Sequence, residues 1–133
     1  MVSIETLEAF IEAFNKHDLD EILSFFADDC VMDLPRGSYP WGRRTVGKDQ
    51  VRDGCISRFK GLPDAHYGDD RHWVVGNMGF SEWKLTGTAP SGERVEVCGT
   101  DHLEFNEEDK ITRKNSFWKI VEKVSLSNQH HSN

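Results

Sequence analysis

The chain has 133 residues, 37% of them hydrophobic and 29% charged, with a formal net charge of -7 and a pI near 5.3. This length suits one domain with one hydrophobic core. The acidic balance argues against a nucleic-acid partner, which would select a basic surface.

Nothing in the sequence predicts a targeting or membrane segment. The N-terminus carries acidic residues inside its apolar run and has no basic leader, which is typical of a helix rather than a signal peptide. No apolar run reaches membrane-spanning length, so we expect no membrane association. Cys30, Cys55 and Cys98 are widely spaced and form no CxxC pair, which favours reduced thiols in a cytoplasmic protein.

The first half of the chain predicts three helices and one short strand. Ser3 can cap a first helix, whose apolar residues recur at helical spacing as far as residue 14. Asp18 begins a second, shorter helix. Residues 30–34 read as a strand, 35–42 as a loop, and 47–60 as a third helix that ends at Gly61.

The second half predicts four consecutive strands at 65–76, 78–88, 94–105 and 110–121. Residues 124–133 are polar and predict a flexible C-terminal tail, which leaves a single domain at 1–123. Helices that precede a run of strands indicate an α+β fold. We expect a curved antiparallel sheet with the three helices over its concave face, a cone that encloses a pocket.

Asp101 is the most informative residue of this pattern. Alternation along 94–105 places it on the same strand face as Val97, Leu103 and Phe105. A charge among apolar neighbours is costly unless it is paired or protonated. Asp101 is therefore a candidate functional acid, and the alternative is a carboxylate held by backbone donors with a structural role.

The sequence resembles the nuclear transport factor 2-like superfamily, in particular its SnoaL-like polyketide cyclases and ketosteroid isomerases. Four segments carry the resemblance: FNKHDLDEILSFFADDCVMDLP at 14–35, WGRRTVGKDQV at 41–51, GNMGFSEW at 76–83 and TDHLEFNEEDKITRKNSFWK at 100–119. Together they span nearly the whole chain. The resemblance implies the cone fold, but this fold hosts many functions.

The resemblance also implies roles for single residues. Asp101 falls where ketosteroid isomerases keep the acid that donates to the substrate oxygen, and Trp118 where they keep a pocket-wall aromatic residue. Phe10 replaces their tyrosine, and Leu34 falls at their general base. Asp33 lies one residue before that position, so it could serve as the general base only if a β-bulge turned its side chain toward the pocket. The SnoaL-like cyclases are therefore the closer resemblance.

The alternation of side chains along each strand extends the candidate site to the neighbouring strands. The family match directs Met78, Phe80 and Glu82 inward and sends Ser81, Trp83 and Leu85 to the other face, while 110–121 contributes Lys114, Ser116 and Trp118. The expected catalytic residues are Asp101, Glu82, Lys114 and Asp33. The expected pocket-lining residues are Phe10, Phe14, Trp41, Phe59, Trp73, Met78, Phe80, Ser116 and Trp118.

These residues predict an acid–base enzyme that needs no cofactor and acts on a hydrophobic, carbonyl-containing molecule by isomerisation, cyclisation or dehydration. The alternative is a non-catalytic module of the same fold that binds a ligand or a protein. An epoxide hydrolase would need an arginine between two acids, and no inward arginine is evident.

We expect no metal, because the spacing of His66, His72 and His102 matches no metal-binding motif. Apolar residues on the predicted outer face, including Trp83, Leu85 and Phe117, predict a homodimer. Cys98, His102 and Asn115 complete that face.

Overall fold

The computed structural model describes residues 1–123, so the predicted tail at 124–133 lies outside the described residues. Its elements run α1 (Ile4–Asn15), α2 (Leu19–Ser24), β1 (Phe26–Tyr39), β2 (Gly42–Val46), α3 (Gly47–Gly61), β3 (His66–Val75), β4 (Met78–Thr88), β5 (Arg94–Phe105) and β6 (Ile111–Trp118). The predicted α+β class is confirmed: three helices cover one face of a single curved sheet.

The helices begin where side chains can satisfy the free backbone N–H groups of the first turn. The Ser3 hydroxyl accepts from the backbone N–H of Thr6, and the Asp18 carboxylate accepts from that of Glu21. Between α1 and α2 the chain turns at His17, whose φ of 55° is left-handed. The buried face of α1 then packs its phenylalanines into the core.

The sheet has six strands in the order β2-β1-β6-β5-β4-β3. Every neighbouring pair is antiparallel except β1 and β6, which run parallel. The central position of β5 and β6 places Asp101 beneath the helices, since these two strands lie in the middle of the sheet. We call the face under the helices the inner face and the opposite one the outer face.

The region between α2 and α3 differs from its prediction, because β1 begins at Phe26 rather than at residue 30 and β2 was not expected. The expected loop at 35–42 is instead the end of β1 and a tight turn into β2. Pro35 and Gly37 favour a loop in the sequence, but β1 is an interior strand only as far as its pairing with β6, and its last residues pair with β2 alone. Proline is tolerated at such an edge because one side of the strand needs no donor.

The core lies between the helices and the inner face. Leu7, Phe10, Phe26, Leu103 and Ile111 are all fully or nearly fully buried there. No helix among residues 1–123 is long and apolar enough to cross a membrane. All three cysteines are free thiols, with Cys30 and Cys55 buried and Cys98 exposed.

Candidate functional site

Asp101 lies on the inner face of β5 and is only 3% exposed. Strand pairing sets its neighbours, because Ser81 of β4 and Ser116 of β6 stand directly opposite it. Side chains of directly opposed residues share one face of a sheet. The carboxylate is thus held between two strands and covered by the helices.

The carboxylate accepts hydrogen bonds on both oxygens. Trp83 Nε1 donates to Oδ2 at 3.1 Å, and Ser116 Oγ donates to Oδ1 at 2.6 Å. The Lys114 ammonium lies 3.4 Å from Oδ1 and donates to Ser116 Oγ at 2.8 Å. We call Asp101, Ser116, Lys114 and Trp83 the Asp101 centre. The indole N–H, the Ser116 hydroxyl and the Lys114 ammonium all lie where they stabilise negative charge on the carboxylate.

Gly99 allows this arrangement. It stands opposite both Trp83 and Trp118, and a side chain at Gly99 would collide with the Trp83 indole. Because glycine leaves the space free, the indole lies over β5 and directs its N–H to Asp101.

A small cavity borders the Asp101 centre from the helix side. Its volume is about 30 Å³, room for about one water molecule. Trp83, Lys114 and Ser116 line it, whereas Asp101 lies behind Ser116. The rest of the lining includes Phe14, Cys55, Arg58, Tyr67 and Trp118.

A larger hollow of about 530 Å³ opens on the outer side of the same strands. Most of its lining points outward from the sheet, including Lys84, Cys98 and Phe117. Its two acids, Asp69 and Glu82, are exposed to solvent. Trp83 and Trp118 line both hollows, but among residues 1–123 the buried ammonium of Lys114 and the hydroxyl of Ser116 line the inner cavity and not the larger hollow.

The predicted orientation of β4 is wrong, because the residues expected on the inner face lie on the outer face and those expected outside lie inside. Ser81, Trp83 and Leu85 are buried on the inner face, while Met78, Phe80 and Glu82 point outward. The Glu82 side chain is 53% exposed and pairs with Arg71 at 3.3 Å. A one-residue change of phase moves a whole strand to the other face, so Glu82 belongs to the surface.

Asp33 also lies on the outer face, as β1 carries no bulge there that would turn it inward. Its fully buried carboxylate accepts from Arg44 Nε at 2.8 Å and from Arg113 at 3.4 Å. The hydrogen bond from Arg44 is the main cause that lowers the pKa of Asp33, and Arg113 adds to it. Asp33 is an ion-paired residue away from the cavity.

The expected aromatic wall is present only in part. Phe14, Ser116 and Trp118 line the inner cavity. Phe10 and Phe59 pack against Phe14 instead, one aromatic layer away from the cavity.

Two further predicted wall residues are surface tryptophans. Trp41 stacks on Tyr39 in the turn between β1 and β2, and Trp73 points outward from β3 beneath Arg71. They are 46% and 43% exposed. The exposed turn and the outward phase of β3 explain both errors.

Arg58, Cys55 and Tyr67 border the cavity but were not predicted. Arg58 and Cys55 come from α3, and helix spacing alone does not show which turn of α3 faces Lys114. Burial raises the pKa of the Tyr67 hydroxyl far above its ordinary value, so this hydroxyl stays protonated. Burial also raises the pKa of the Cys55 thiol.

A second polar row lies beside the Asp101 centre. His72 bonds to Ser81 Oγ at 2.8 Å through Nδ1 and to Asp70 at 2.7 Å through Nε2. Ser81 is 1% exposed and borders neither hollow, so this row holds β3 against β4 without access for a substrate. Within residues 1–123, no three His, Cys, Asp or Glu side chains converge as a metal site would require.

The comparisons with known proteins agree with the fold. The profile of the SnoaL-like domain matches residues 7–114. No curated protein sequence matches the chain.

Solved structures match over most of their length. A candidate polyketide cyclase from Xanthomonas campestris pv. campestris is 21% identical with a TM-score of 0.75, covering 85% of this chain and 87% of that one. A cystatin-fold protein from Novosphingobium aromaticivorans is 26% identical with a TM-score of 0.69, covering 88% and 98%. SalBIII, an epoxide hydrolase/cyclase-like enzyme of pyran ring formation in salinomycin, is 18% identical with a TM-score of 0.75, covering 88% and 90%.

Proposed function

The chain belongs to the SnoaL-like domain family, and from that premise we propose that it is a cofactor-free acid–base enzyme acting on a hydrophobic carbonyl compound in the inner cavity. The observation that carries the proposal is the Asp101 centre, a buried carboxylate linked through Ser116 to a buried ammonium at a cavity. Such charges are costly to bury for structure alone.

The geometry supports a proton relay. A proton leaves the carbon next to the substrate carbonyl for Ser116 Oγ, while the Ser116 proton passes to Asp101 Oδ1 across 2.6 Å. The ammonium of Lys114 then stabilises the negative oxygen of the enolate. Return of the proton at another position restores Asp101 and completes an isomerisation, and cyclisation or dehydration can begin from the same enolate.

The experiment measures enolate formation, which is the first step that isomerisation, cyclisation and dehydration share. Exchange of α-hydrogens for deuterium, measured by proton NMR in D₂O on aromatic ketones and keto acids, reports enolate formation whatever the final product. We expect the native protein to accelerate this exchange and Asp101→Asn to lose the acceleration. Equal exchange by the two proteins, or none by either, would contradict the proposal.

The alternative is a non-catalytic binding module of the same fold, and the small volume of the inner cavity constrains its ligand as much as it constrains a substrate. About 30 Å³ is far below the 300–1,000 Å³ that is usual for small-molecule sites, so a substrate must displace side chains to enter. Saturable binding of a hydrophobic ligand without any catalysed exchange would select this alternative. Among residues 1–123, the lining of the inner cavity contains no Asp or Glu to serve as the second acid of an epoxide hydrolase, and Asp33 and Glu82 both lie on the outer face.

We also propose a homodimer formed through the outer face. Trp73 and Phe117 are 43% and 47% exposed there, and His102 packs between Phe80 and Phe117. Trp83 and Leu85, which were expected on this face, are buried inside. An exposed aromatic row of this kind favours self-association.

Light scattering at micromolar concentration tests the dimer. We expect twice the chain mass of 15.2 kDa for the native protein, and a shift toward the monomer in Phe117→Glu. A monomeric native protein would contradict the proposal.

A further inference from the structure

Arg58 is a charged residue at the inner cavity that the proposed chemistry does not use. It lies on α3, is partly buried and lines the cavity. Its guanidinium carbon is 4.6 Å from the centre of the Trp118 ring. Among the described residues 1–123, no carboxylate forms an ion pair with it.

The charges around the cavity are therefore unbalanced. Lys114 and Arg58 both line it, and the charge of Lys114 is matched by Asp101 at 3.4 Å. Within residues 1–123, the charge of Arg58 has no carboxylate partner. Cys55, Arg58 and Lys114 line the same small cavity, and the two cations oppose the rise that burial causes in the pKa of the Cys55 thiol.

We propose that the cavity accepts an anionic carbonyl compound, a hydrophobic molecule with a carboxylate or acidic enol, and that Arg58 binds its negative oxygens. This inference rests on the proposed function for the reacting carbonyl, which Lys114 would face. A guanidinium binds two oxygens of a carboxylate at once, which an ammonium cannot do in the same way. Phe14 and Trp118 supply the apolar walls for the rest of the ligand.

Arg58 also explains how such a ligand could enter a cavity of about 30 Å³. Its side chain lies against Trp118 at the cavity and is partly exposed. Side chains of this kind change rotamer rapidly. An incoming anion would draw the guanidinium off the Trp118 ring, so that binding and enlargement of the cavity occur together.

Calorimetric titration with two matched probes tests the inference. Phenylpyruvate carries the anion and a ketone, and phenylacetone replaces the carboxylate by a methyl group. We expect the native protein to bind phenylpyruvate at least about tenfold more tightly, as for a hydrogen bond to a charged group. Arg58→Gln should abolish that preference.

Arg52→Gln is the matched control, because Arg52 lies on the same helix and pairs with Asp20 at the surface. We expect it to keep the native preference. Equal affinity of the native protein for both probes, a preference that survives in Arg58→Gln, or no saturable binding of phenylpyruvate would each overturn the inference.

Binding and chemistry are measured separately, so the two proposals fail in different ways. A preference for phenylpyruvate that depends on Arg58, without any α-exchange, would support the anion site and contradict the proposed enzymatic function. Exchange that depends on Asp101, without any preference for the anion, would support the enzyme and remove the role of Arg58.

Discussion

Asp101 and Asp33 are both buried carboxylates on interior strands, yet they occupy different surroundings. Asp101 on the inner face is 3% exposed, and its partners are an indole, a hydroxyl and one ammonium. Asp33 on the outer face is 0% exposed and lies between the guanidinium groups of Arg44 and Arg113.

Burial by itself therefore does not distinguish a candidate functional acid from an ion-paired one. Two guanidinium groups saturate Asp33, and neither hollow borders it. Asp101 has one cation, shared with Ser116, and a cavity beyond that hydroxyl. The proposed relay therefore gives the proton of a ligand a route to Asp101, whereas at Asp33 the same charge holds β1 to β2 and β6.

The largest expected effect is on the rate of α-exchange, which substitutions of Asp101 and Asp33 should change differently. We expect Asp101→Asn to reduce α-exchange by about 100-fold or more, the size typical of a lost acid–base group. Asp33→Asn should leave the exchange rate within about twofold of native, because Asp33 lies on the outer face and lines neither hollow.

Folding must be checked in the same samples. Asp101→Asn leaves Lys114 buried without its counterion, which costs about 3 kcal/mol. Exchange is therefore measured well below the unfolding midpoint, with circular dichroism to show native structure. A comparable loss of α-exchange in Asp101→Asn and Asp33→Asn, or no loss in either, would contradict a functional difference between the inner and the outer acid.

A smaller effect should show how Asp101 reaches the ligand. If the proton passes through Ser116, Ser116→Ala should lower the exchange rate by at least about tenfold while all charges remain. Ser81→Ala is the matched control, since Ser81 is equally buried and stands opposite Asp101 but bonds to His72. Native exchange rates in Ser116→Ala would mean that Asp101 contacts the substrate directly.

Local patterns in the sequence predicted most of the fold. Ser3 and Asp18 mark the helix starts, and the alternation around Asp101 identifies the β5–β6 hairpin and its buried face. The extension of β1 to Tyr39 could not be read in this way. It depends on pairing with β2, a contact between segments that each look like loop.

The site was less predictable because it depends on tertiary contacts. On β4 both alternating sets contain large apolar residues, Met78 and Phe80 against Trp83 and Leu85. Composition cannot choose between two such phases, and the choice is fixed by the opposition of Ser81 and Asp101.

Gly79 gives a further indication of which face of β4 points inward. Its missing side chain leaves room for Leu7 of α1, which places Gly79 on the inner face, and Ser81 and Trp83 follow it by period two. Arg58 had no such signal. Its place at the cavity results from how α3 packs on the sheet.

The smallest effect concerns the stability that Asp33 supplies. We expect Asp33→Asn to lower the free energy of unfolding at pH 7 by about 2 kcal/mol, the scale of a charged hydrogen bond whose guanidinium partners are partly exposed. The pKa of Asp33 is lowered in the folded state, so this contribution is complete above the usual carboxyl pKa of about 4. It declines as the pH falls further, through the lowered folded-state pKa, because protonation removes the charge from the native protein.

Urea unfolding of native and Asp33→Asn protein between about pH 7 and pH 2 measures this difference. The two curves should converge at the acid end. Asp28→Asn serves as the control, because Asp28 lies on the same strand with a fully exposed side chain, and it should not change the pH dependence. A difference that stayed constant down to the lowest pH would show that Asp33 acts through its shape and packing. The two guanidinium groups would then be incidental, and the outer acid would not be the ion-paired counterpart of Asp101.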